Sequence, residues 1–284
     1  MSSTLAIEAD SRDSAPENTE RRRCPRGLHV PKVSVIIPAL NEAENLGHVF
    51  SRLPEAVHEV IVVDGHSTDG TLEVARRLRP DVVTVCQDGR GKGNALRCGF
   101  AAATGDAIVA IDADGSTDPA EIPAFVGALQ AGAEYVKGSR FLPGAGTDDM
   151  TFIRKCGNYG FVVLARLMYG ARYSDFTYGY TAFWRRCLPT LDLRSDGFEI
   201  ECEMTLRAVQ TGLRVVEVAC FEQPRFAGEA HLKVLPDGWR ILKQMMHVWM
   251  LDDRATEPDR SPDMRKLSGV LKPRAALGTR EWSD

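Results

Sequence analysis

The sequence predicts an α/β protein, with a mostly parallel β-sheet that carries helices on both faces. Short runs of branched apolar residues alternate with segments of helical spacing through the first half of the chain. These runs lack the polar alternation of half-exposed strands, so both faces of the strands are expected to be buried. Regular strand–helix alternation favours a parallel sheet, because parallel neighbours need a crossover segment between them.

Each element of the first half follows from a local signal. The first apolar run ends at Pro38, and Asn41 is placed to cap the helix that follows. Asp64 ends the second run, and Pro119 lies near the first turn of a helix, where proline is tolerated. The predicted strands are 33–37, 59–63, 82–86, 107–111 and a fifth that begins at 135; the predicted helices are 42–53, 71–78, 94–103 and 119–130.

The second half is less regular. Gly212 is placed to end a helix in the left-handed conformation that glycine favours. The predicted helices are 152–169 and 199–210, the predicted strands are 181–184 and 213–218, and 232–251 is a further apolar segment of helical spacing.

The two ends of the chain differ in composition from the middle. Residues 1–31 are rich in Ser, Glu, Asp, Arg and Pro, and predict a disordered N-terminal tail. Residues 253–284 are similarly polar and predict a flexible C-terminal tail, which leaves 32–252 as the folded domain. Neither a secretion signal nor an apolar run of the ~20 residues that span a bilayer is visible, so a cytoplasmic location is expected.

Composition excludes several classes of protein. The net charge of −4 argues against a general nucleic-acid binder, which would present a basic face. The 7 cysteines are scattered and none are spaced as C-x-x-C, which argues against a disulfide framework or a zinc site and fits a reducing compartment.

Acidic residues follow the predicted strands at the edge where ligands of parallel sheets bind. Asp112 and Asp114 leave the fourth strand, and alternate residues of an extended chain point to the same side. Two carboxylates together with a diphosphate form a hard-oxygen site for Mg²⁺ or Mn²⁺. Asp64, at the end of a neighbouring strand, is placed either to accept hydrogen bonds from a nucleoside or to cap the next helix.

A glycine-rich basic loop at 89–94 opens a predicted helix. Backbone N–H groups at a helix start attract phosphate, and Lys92 adds a positive charge. The spacing is not that of a Walker A loop, so the loop by itself is a weak indication of a phosphate site.

Several segments together resemble the family-2 glycosyltransferases, and within them the dolichyl- or polyprenyl-phosphate mannosyl- and glucosyltransferase branch. The resemblance covers roughly residues 32–250 and implies the GT-A fold, which is Rossmann-like. It also divides the domain into a nucleotide-sugar half, about 32–140, and an acceptor half, about 141–252. The segments are VSVIIPALNEAENL, VIVVDGHSTDGT, GRGKGNALRCGF, IVAIDADGSTDP and YVKGSRF in the first half, and DFTYGY, GFE and LRVVEV before Arg225 in the second.

The resemblance implies a role for each matching residue. The nucleotide-contacting motif of the family is matched by Pro38, Asn41 and Glu42. Asp64 matches the acid that binds the base or the ribose. The donor-phosphate and metal motif is matched by Asp112 and Asp114, the basic residues near an acceptor phosphate by Arg140 and Arg154, and a basic residue on the donor diphosphate by Arg225.

Three departures from the family pattern leave finer points open. Gly65 follows Asp64 where the family often has a second acid. Ser116 stands where relatives often carry Gln or another polar residue on the metal side, and His231 stands where many carry Lys or Asn. The choice of base, the third metal ligand and the acceptor therefore stay undecided at this point.

The acceptor is expected to be either a phosphate or a hydroxyl. A phosphate is already an anion, so polyprenyl phosphate would need little base catalysis. A hydroxyl of a glycan or small molecule would need a carboxylate base, for which Asp175, Glu199 and Glu201 are the candidates. Structural hydrogen bonding is the competing interpretation of both glutamates.

A lipid acceptor would require contact with a membrane surface. Within 232–251, Trp239, Leu242, Met246 and Trp249 fall on one helical face. Such a face either lies in a bilayer interface, at the inner side of the membrane, or packs on the enzyme body or on a second subunit in a homo-oligomer.

Together with these observations, the resemblance implies an inverting glycosyltransferase that moves a sugar from GDP-mannose or a UDP-hexose, with Mg²⁺ or Mn²⁺ as cofactor and polyprenyl phosphate as the favoured acceptor. Asp112, Asp114, Arg225 and Asp175 are the predicted catalytic residues, and Lys92 joins the donor-binding set. A nucleotidyltransferase is disfavoured, because it would carry a basic glycine-rich loop directly after the first strand. A non-catalytic sugar-nucleotide binding protein is the alternative from another class.

Overall fold

The apolar runs of the sequence form a seven-stranded sheet in the order β3-β2-β1-β4-β7-β5-β8, once β1–β9 are numbered along the chain. The computed structural model describes residues 30–228 and 234–251. Strand β7 is antiparallel to its neighbours β4 and β5, and the other pairings are parallel. The strands of this sheet are β1 Val33–Ala39, β2 Glu59–Asp64, β3 Val83–Cys86, β4 Ala107–Ala110, β5 Tyr135–Ser139, β7 Thr181–Trp184 and β8 Val215–Ala219; β6 Gly146–Thr147 pairs separately with β9 Phe221–Glu222.

Helices cover both faces of the sheet, as predicted. Successive β1 residues point to opposite sides: Ile36 packs with Phe100 of one helix, whereas Val35 and Ile37 belong to the core that contains Phe125 of another. The helices are α1 Leu46–Ser51, α2 Thr71–Leu78, α3 Lys92–Ala102, α4 Ile122–Gln130, α5 Phe152–Tyr169, α6 Leu188–Leu191, α7 Ile200–Gln210 and α8 Val234–Leu251, with short 3₁₀ turns at Pro119–Glu121 and Arg185–Cys187.

The first helix begins later than the sequence predicts. Asn41 has a positive φ of 57°, and its side-chain oxygen accepts a hydrogen bond from the backbone N–H of Thr68 instead of capping a helix. Residues 42–45 form a turn, and α1 begins at Leu46. The side chain of Asn41 therefore bonds to the polar loop after β2 and not to the helix that local spacing predicts it to cap.

The two predicted halves share one sheet. Strand β5 belongs to the predicted nucleotide-sugar half, yet its neighbours β7 and β8 belong to the predicted acceptor half. A third apolar cluster, which includes Phe176, Leu206 and Met245, joins α5, α7 and α8 beside the sheet. The predicted tails 1–31 and 253–284 fall almost entirely on residues outside the described ranges. Within those ranges, none of the helices combines the length and the apolar character needed to cross a bilayer.

Candidate active site

The carboxyl ends of three central strands meet at one edge of the sheet. Strand β1 pairs in parallel with β2 on one side and with β4 on the other, so the segments after these strands converge. Asp112 and Asp114 follow β4 there, with side chains 27% and 22% exposed. The strand pairings place Asp64, Asp112 and Asp114 at the same edge of the sheet.

Asp112 is held by a lysine that also binds a glutamate. The Nζ atom of Lys92 lies 2.5 Å from Oδ1 of Asp112 and 2.5 Å from Oε1 of Glu201. Burial acts to lower the pKa of Lys92, but the attraction of both carboxylates outweighs it and raises the pKa above its ordinary value. Gly179 borders the pair, since a Cβ there would stand 2.5 Å from Glu201 and 3.2 Å from Asp112.

Asp114 is held in the same way by an arginine. The Nη1 atom of Arg225 lies 3.2 Å from Oδ2 of Asp114, and its Nη2 atom lies 2.5 Å from Oε1 of Glu42. Oδ1 of Asp114 accepts hydrogen bonds from the backbone N–H and the hydroxyl of Ser116. The turn from Asp114 to Ser116 requires Gly115, because its φ of 80° disfavours a residue with a side chain. Gly115 also lies against His48.

The six charged residues of these two arrangements form what we call the strand-end cluster. Its members are Glu42, Lys92, Asp112, Asp114, Glu201 and Arg225. Each aspartate therefore pairs with one cation, and each cation also pairs with one glutamate. Lys92, predicted as a phosphate ligand, is bound between two carboxylates in this conformation.

Asp64 and Asn41 shape the polar turn beside the cluster. The carboxylate of Asp64 accepts hydrogen bonds from the backbone N–H groups of His66 and Ser67, and Asp64 is largely buried. The Asn41 N–H donates to the Ser67 hydroxyl. Asp64 thus fixes the loop after β2, and Pro38 lies in β1 opposite Val63, one residue before Asp64.

A second set of charges is buried in the acceptor half. Arg140 donates from Nε to Oδ2 of Asp175 at 2.7 Å and from Nη1 to Oε1 of Glu222 at 2.9 Å. The side chains of Arg140 and Asp175 are 1% and 0% exposed. Burial lowers the pKa of Arg140, but its hydrogen bonds and ion pairs with Asp175 and Glu222 raise it above the ordinary value. We call these three residues the Arg140 cluster.

The Arg140 cluster limits what its members do in this conformation. Asp175 has no exposed oxygen with which to reach a hydroxyl, so the structure supports a role for it in holding Arg140. Arg154, the other predicted acceptor ligand, lies at the surface and pairs with Asp149 at 2.9 Å.

The two candidate glutamates, Glu199 just before α7 and Glu201 within it, have separate environments. Glu199 accepts a hydrogen bond from the backbone N–H of Gly197. Glu201 alone of the two belongs to the strand-end cluster.

Comparisons with known proteins show the family of the chain. A family model described as Glycosyl transferase family 2 matches residues 34–190. A dolichol-phosphate mannosyltransferase of Pyrococcus furiosus is 32% identical over 251 residues, which cover 84% of this chain and 70% of that protein. The chain belongs to glycosyltransferase family 2.

Other relatives point to the same branch of the family. An undecaprenyl-phosphate mannosyltransferase of Micrococcus luteus is 34% identical, with 71% of this chain and 87% of that protein covered. A polyprenol monophosphomannose synthase of Mycolicibacterium smegmatis is 36% identical over 65% of this chain and 74% of that protein. The predicted family and its enzymatic nature are therefore confirmed.

Solved structures confirm the predicted GT-A fold of this family-2 glycosyltransferase. Glucosyl-3-phosphoglycerate synthase of Mycobacterium tuberculosis, crystallised with Mn²⁺, UDP and glucosyl-3-phosphoglycerate, superimposes with a TM-score of 0.61. The match covers 81% of each chain at 24% sequence identity. At this identity the likeness concerns the fold alone.

The oxygen donors of the transferase fit a Mg²⁺ or Mn²⁺ ion that is bound together with substrate phosphates. Asp112 and Asp114 offer partly exposed carboxylates, the ligand type that both ions prefer. Within residues 30–228 and 234–251, no three His, Cys, Asp or Glu side chains group as a self-sufficient metal cage. A site with two protein carboxylates suits Mg²⁺, which usually takes one or two carboxylates and completes its shell with phosphate and water.

Glu222 and Gly179 of the transferase are residues that sequence reasoning does not single out. Glu222 meets Arg140 across 82 positions of the chain, so no local spacing reveals the pair. Gly179 lies inside a segment that resembles the family, but only the approach of Glu201 and Asp112 shows why a side chain is excluded there.

Proposed function

We propose that this transferase moves a hexose, with inversion, from a nucleotide-diphosphate donor to polyprenyl phosphate. The observation that carries the proposal is the pair Asp112 and Asp114, which lie partly exposed at the centre of the sheet edge and are each paired with a cation. Such a site suits the diphosphate of GDP-mannose or of a UDP-hexose. Mannosyltransferases among the relatives favour mannose as the sugar.

Roles on the donor side follow from the strand-end cluster. Asp112 and Asp114 would hold Mg²⁺ or Mn²⁺, which supplies positive charge to the diphosphate as it leaves. Arg225 pairs with Asp114, and its guanidinium would bind the diphosphate oxygens. Lys92 neutralises Asp112, and the loop built by Asn41 and Asp64 receives the nucleoside.

The transfer itself is a single displacement. An oxygen of the acceptor phosphate forms the bond to the anomeric carbon while the bond to the donor diphosphate oxygen breaks, with the electron pair leaving on the diphosphate. Because the acceptor oxygen is already anionic, no proton has to be removed. Arg154 is the more accessible of the two predicted acceptor ligands, and Arg140 would have to leave Asp175 or Glu222 to bind a phosphate.

Transfer to a hydroxyl is the second candidate, and the position of Glu201 favours it. Its carboxylate reaches the same point above Gly179 as Asp112 does. A general base must lie within hydrogen-bond reach of the reacting hydroxyl, and Glu201 would fill this role only after releasing Lys92.

Access to a lipid acceptor is proposed through peripheral attachment to a membrane. Helix α8 exposes Trp239, Met246, Trp249 and Met250 on its outer side, a composition typical of helices in a bilayer interface. A homo-oligomer joined through 232–251 is the alternative use of this surface.

The test begins with binding of GDP and UDP by calorimetry, with and without Mn²⁺. We expect one nucleotide to bind at least about tenfold more tightly with the ion, and EDTA to abolish transfer of the matching sugar to polyprenyl phosphate. Transfer that persists in EDTA would contradict the metal assignment. Transfer to a hydroxyl acceptor but not to polyprenyl phosphate, abolished by Glu201→Gln, would establish the second candidate instead.

A further inference from the structure

A cavity of about 350 Å³ opens between the end of α5, the loop after it and the edge strand β8. Its lining includes Arg166, Arg172, Ser174 and Glu217, and none of the residues of the strand-end or Arg140 clusters. The cavity is therefore distinct from the strand-end cluster, and it contacts the Arg140 cluster through Glu217, which accepts a hydrogen bond from the backbone N–H of Asp175.

Both arginines of the cavity are exposed, and within the described part of the chain neither guanidinium has a carboxylate partner. Arg154, on the first turn of the same helix, pairs with Asp149. Two uncompensated guanidinium groups at one opening make a local positive field, and their planar forks match phosphate oxygens.

The one acid in the cavity does not cancel this charge. Both oxygens of Glu217 accept hydrogen bonds from the backbone N–H of Ser174 at 2.9 Å, and one also accepts from the Ser174 hydroxyl. Burial raises the pKa of Glu217, although these hydrogen bonds partly offset the effect. Its carboxylate is thus turned toward the backbone of the loop and not toward the arginines.

The surface beside the cavity is apolar. On α5, Phe152, Tyr159, Val163 and Leu167 follow helical spacing and are all exposed, with Leu167 at 78%. Helix α8 packs against α5 and adds the exposed tryptophans and methionines described above. Arg166 lies next to Leu167 in sequence and one turn from Val163, so the opening with the two arginines borders this apolar face.

We propose that the cavity binds the headgroup phosphate of an anionic phospholipid and so fixes the α5–α8 face on a bilayer. Charge complementarity favours this occupant, because a phosphate beside acyl chains matches two guanidinium groups beside an apolar helix face. The proposal rests on the peripheral attachment put forward above, and not on the identity of the donor or acceptor.

The first test measures co-sedimentation of the full chain with phosphatidylcholine vesicles, with and without phosphatidylglycerol. Wild-type protein should prefer the anionic vesicles, and the double variant Arg166→Gln/Arg172→Gln should lose about thirtyfold in partitioning to them, at about 1 kcal/mol for each charge near the surface. The control Arg76→Gln/Arg77→Gln removes two exposed charges from α2 and should bind as wild type does. An equal loss in the control, or no preference in the wild type, overturns the proposal.

A second variant separates a built site from diffuse attraction. Arg166→Lys/Arg172→Lys keeps both charges but removes the planar forks, so a phosphate cavity predicts weaker binding to anionic vesicles, between the wild type and the Gln pair. Binding equal to wild type would show diffuse attraction and overturn the cavity. Binding of inorganic phosphate without any binding to vesicles would show a site for a free anion and overturn the lipid assignment.

The transfer assay in detergent keeps this proposal apart from the proposed function. The Gln pair should transfer sugar to polyprenyl phosphate in detergent at the wild-type rate, because the cavity contains no residue of the strand-end cluster. If wild type binds anionic vesicles through these arginines but transfers nothing to polyprenyl phosphate, the proposed function fails and the lipid site stands. If transfer to polyprenyl phosphate is found but binding to vesicles is absent, the lipid site fails and the proposed function stands.

Discussion

The strand-end cluster and the Arg140 cluster are built from the same kinds of ion pair but differ in their access to water. In the strand-end cluster, the side chains of Asp112 and Asp114 keep about a quarter of their surface exposed. In the Arg140 cluster, Arg140 and Asp175 are almost fully enclosed. Both clusters link a cation to two carboxylates, so charge and distance alone do not distinguish them.

Exposure decides what each cluster is able to do. A partly hydrated ion pair exchanges partners at low cost, because water and an incoming ligand solvate the separated charges. A buried pair that loses one partner leaves an uncompensated charge in the interior, at a cost of about 3–5 kcal/mol. The strand-end cluster is therefore suited to receiving a charged ligand, and the Arg140 cluster to holding β5, β9 and the loop at 175 together.

The largest effect is expected at the strand-end cluster. Asp114→Ala should lower kcat/KM for sugar transfer by about a thousandfold or more, because the carboxylate acts on the developing charge of the diphosphate. Its free energy of unfolding should stay within about 1 kcal/mol of wild type. Asp81→Ala, which removes an exposed acid from a surface pair, is the matched control for transfer rate and urea unfolding. Near-normal transfer by Asp114→Ala would remove this residue from the mechanism.

The next effect concerns stability and sharpens the contrast between the clusters. Asp175→Asn should lower the free energy of unfolding by about 3 kcal/mol, since Arg140 loses a buried partner. Asp149→Asn breaks an Asp–Arg pair at the surface and should cost at most about 1 kcal/mol. Urea unfolding of both variants makes the comparison, and equal losses would show that burial is not the deciding factor.

A smaller, two-sided effect is expected for Arg225→Gln. With Mn²⁺ present, the nucleotide diphosphate should bind about tenfold more weakly, because a charge-assisted hydrogen bond is lost. Without nucleotide, Mn²⁺ should bind at least as tightly as in wild type, because a cation that competes for Asp114 has gone. Calorimetry with Mn²⁺ alone checks this, and weaker Mn²⁺ binding would contradict the competition.

The smallest effect is a pH dependence near the Arg140 cluster. Burial lowers the pKa of Lys137, and the charges of Asp175 and Glu201 only partly offset this. The unfolded chain therefore binds more protons than the folded one between the lowered pKa and the ordinary value near 10.5, so Lys137 makes stability rise with pH in that window. Urea unfolding should show a smaller rise for Lys137→Met than for wild type. An identical slope in both proteins would exclude the charging of Lys137 as its source.

Much of the fold and part of the site are predictable from the sequence. Uninterrupted runs such as 59–63 predict strands that are buried on both faces, which is correct for β1, β2 and β4. The prediction is wrong for the run 82–86, because it forms the edge strand β3, which has no neighbour on one side and is partly exposed. Asp112 and Asp114 are predictable as a pair, because a strand end fixes where alternate residues point. The start of α1 is not predictable from the sequence, because the Asn41 side chain bonds to a turn 27 positions away.

The sequence by itself determined the α/β class, the family and the edge of the sheet at which the acidic residues gather, because strand periodicity and short motifs act over a few residues. The tertiary structure decided which cation meets which carboxylate: Lys92 with Glu201, Arg225 with Glu42, and Arg140 with Asp175 and Glu222. It also decided which of these pairs water reaches. Both properties depend on contacts between elements far apart in the chain, and local spacing carries no information about those contacts.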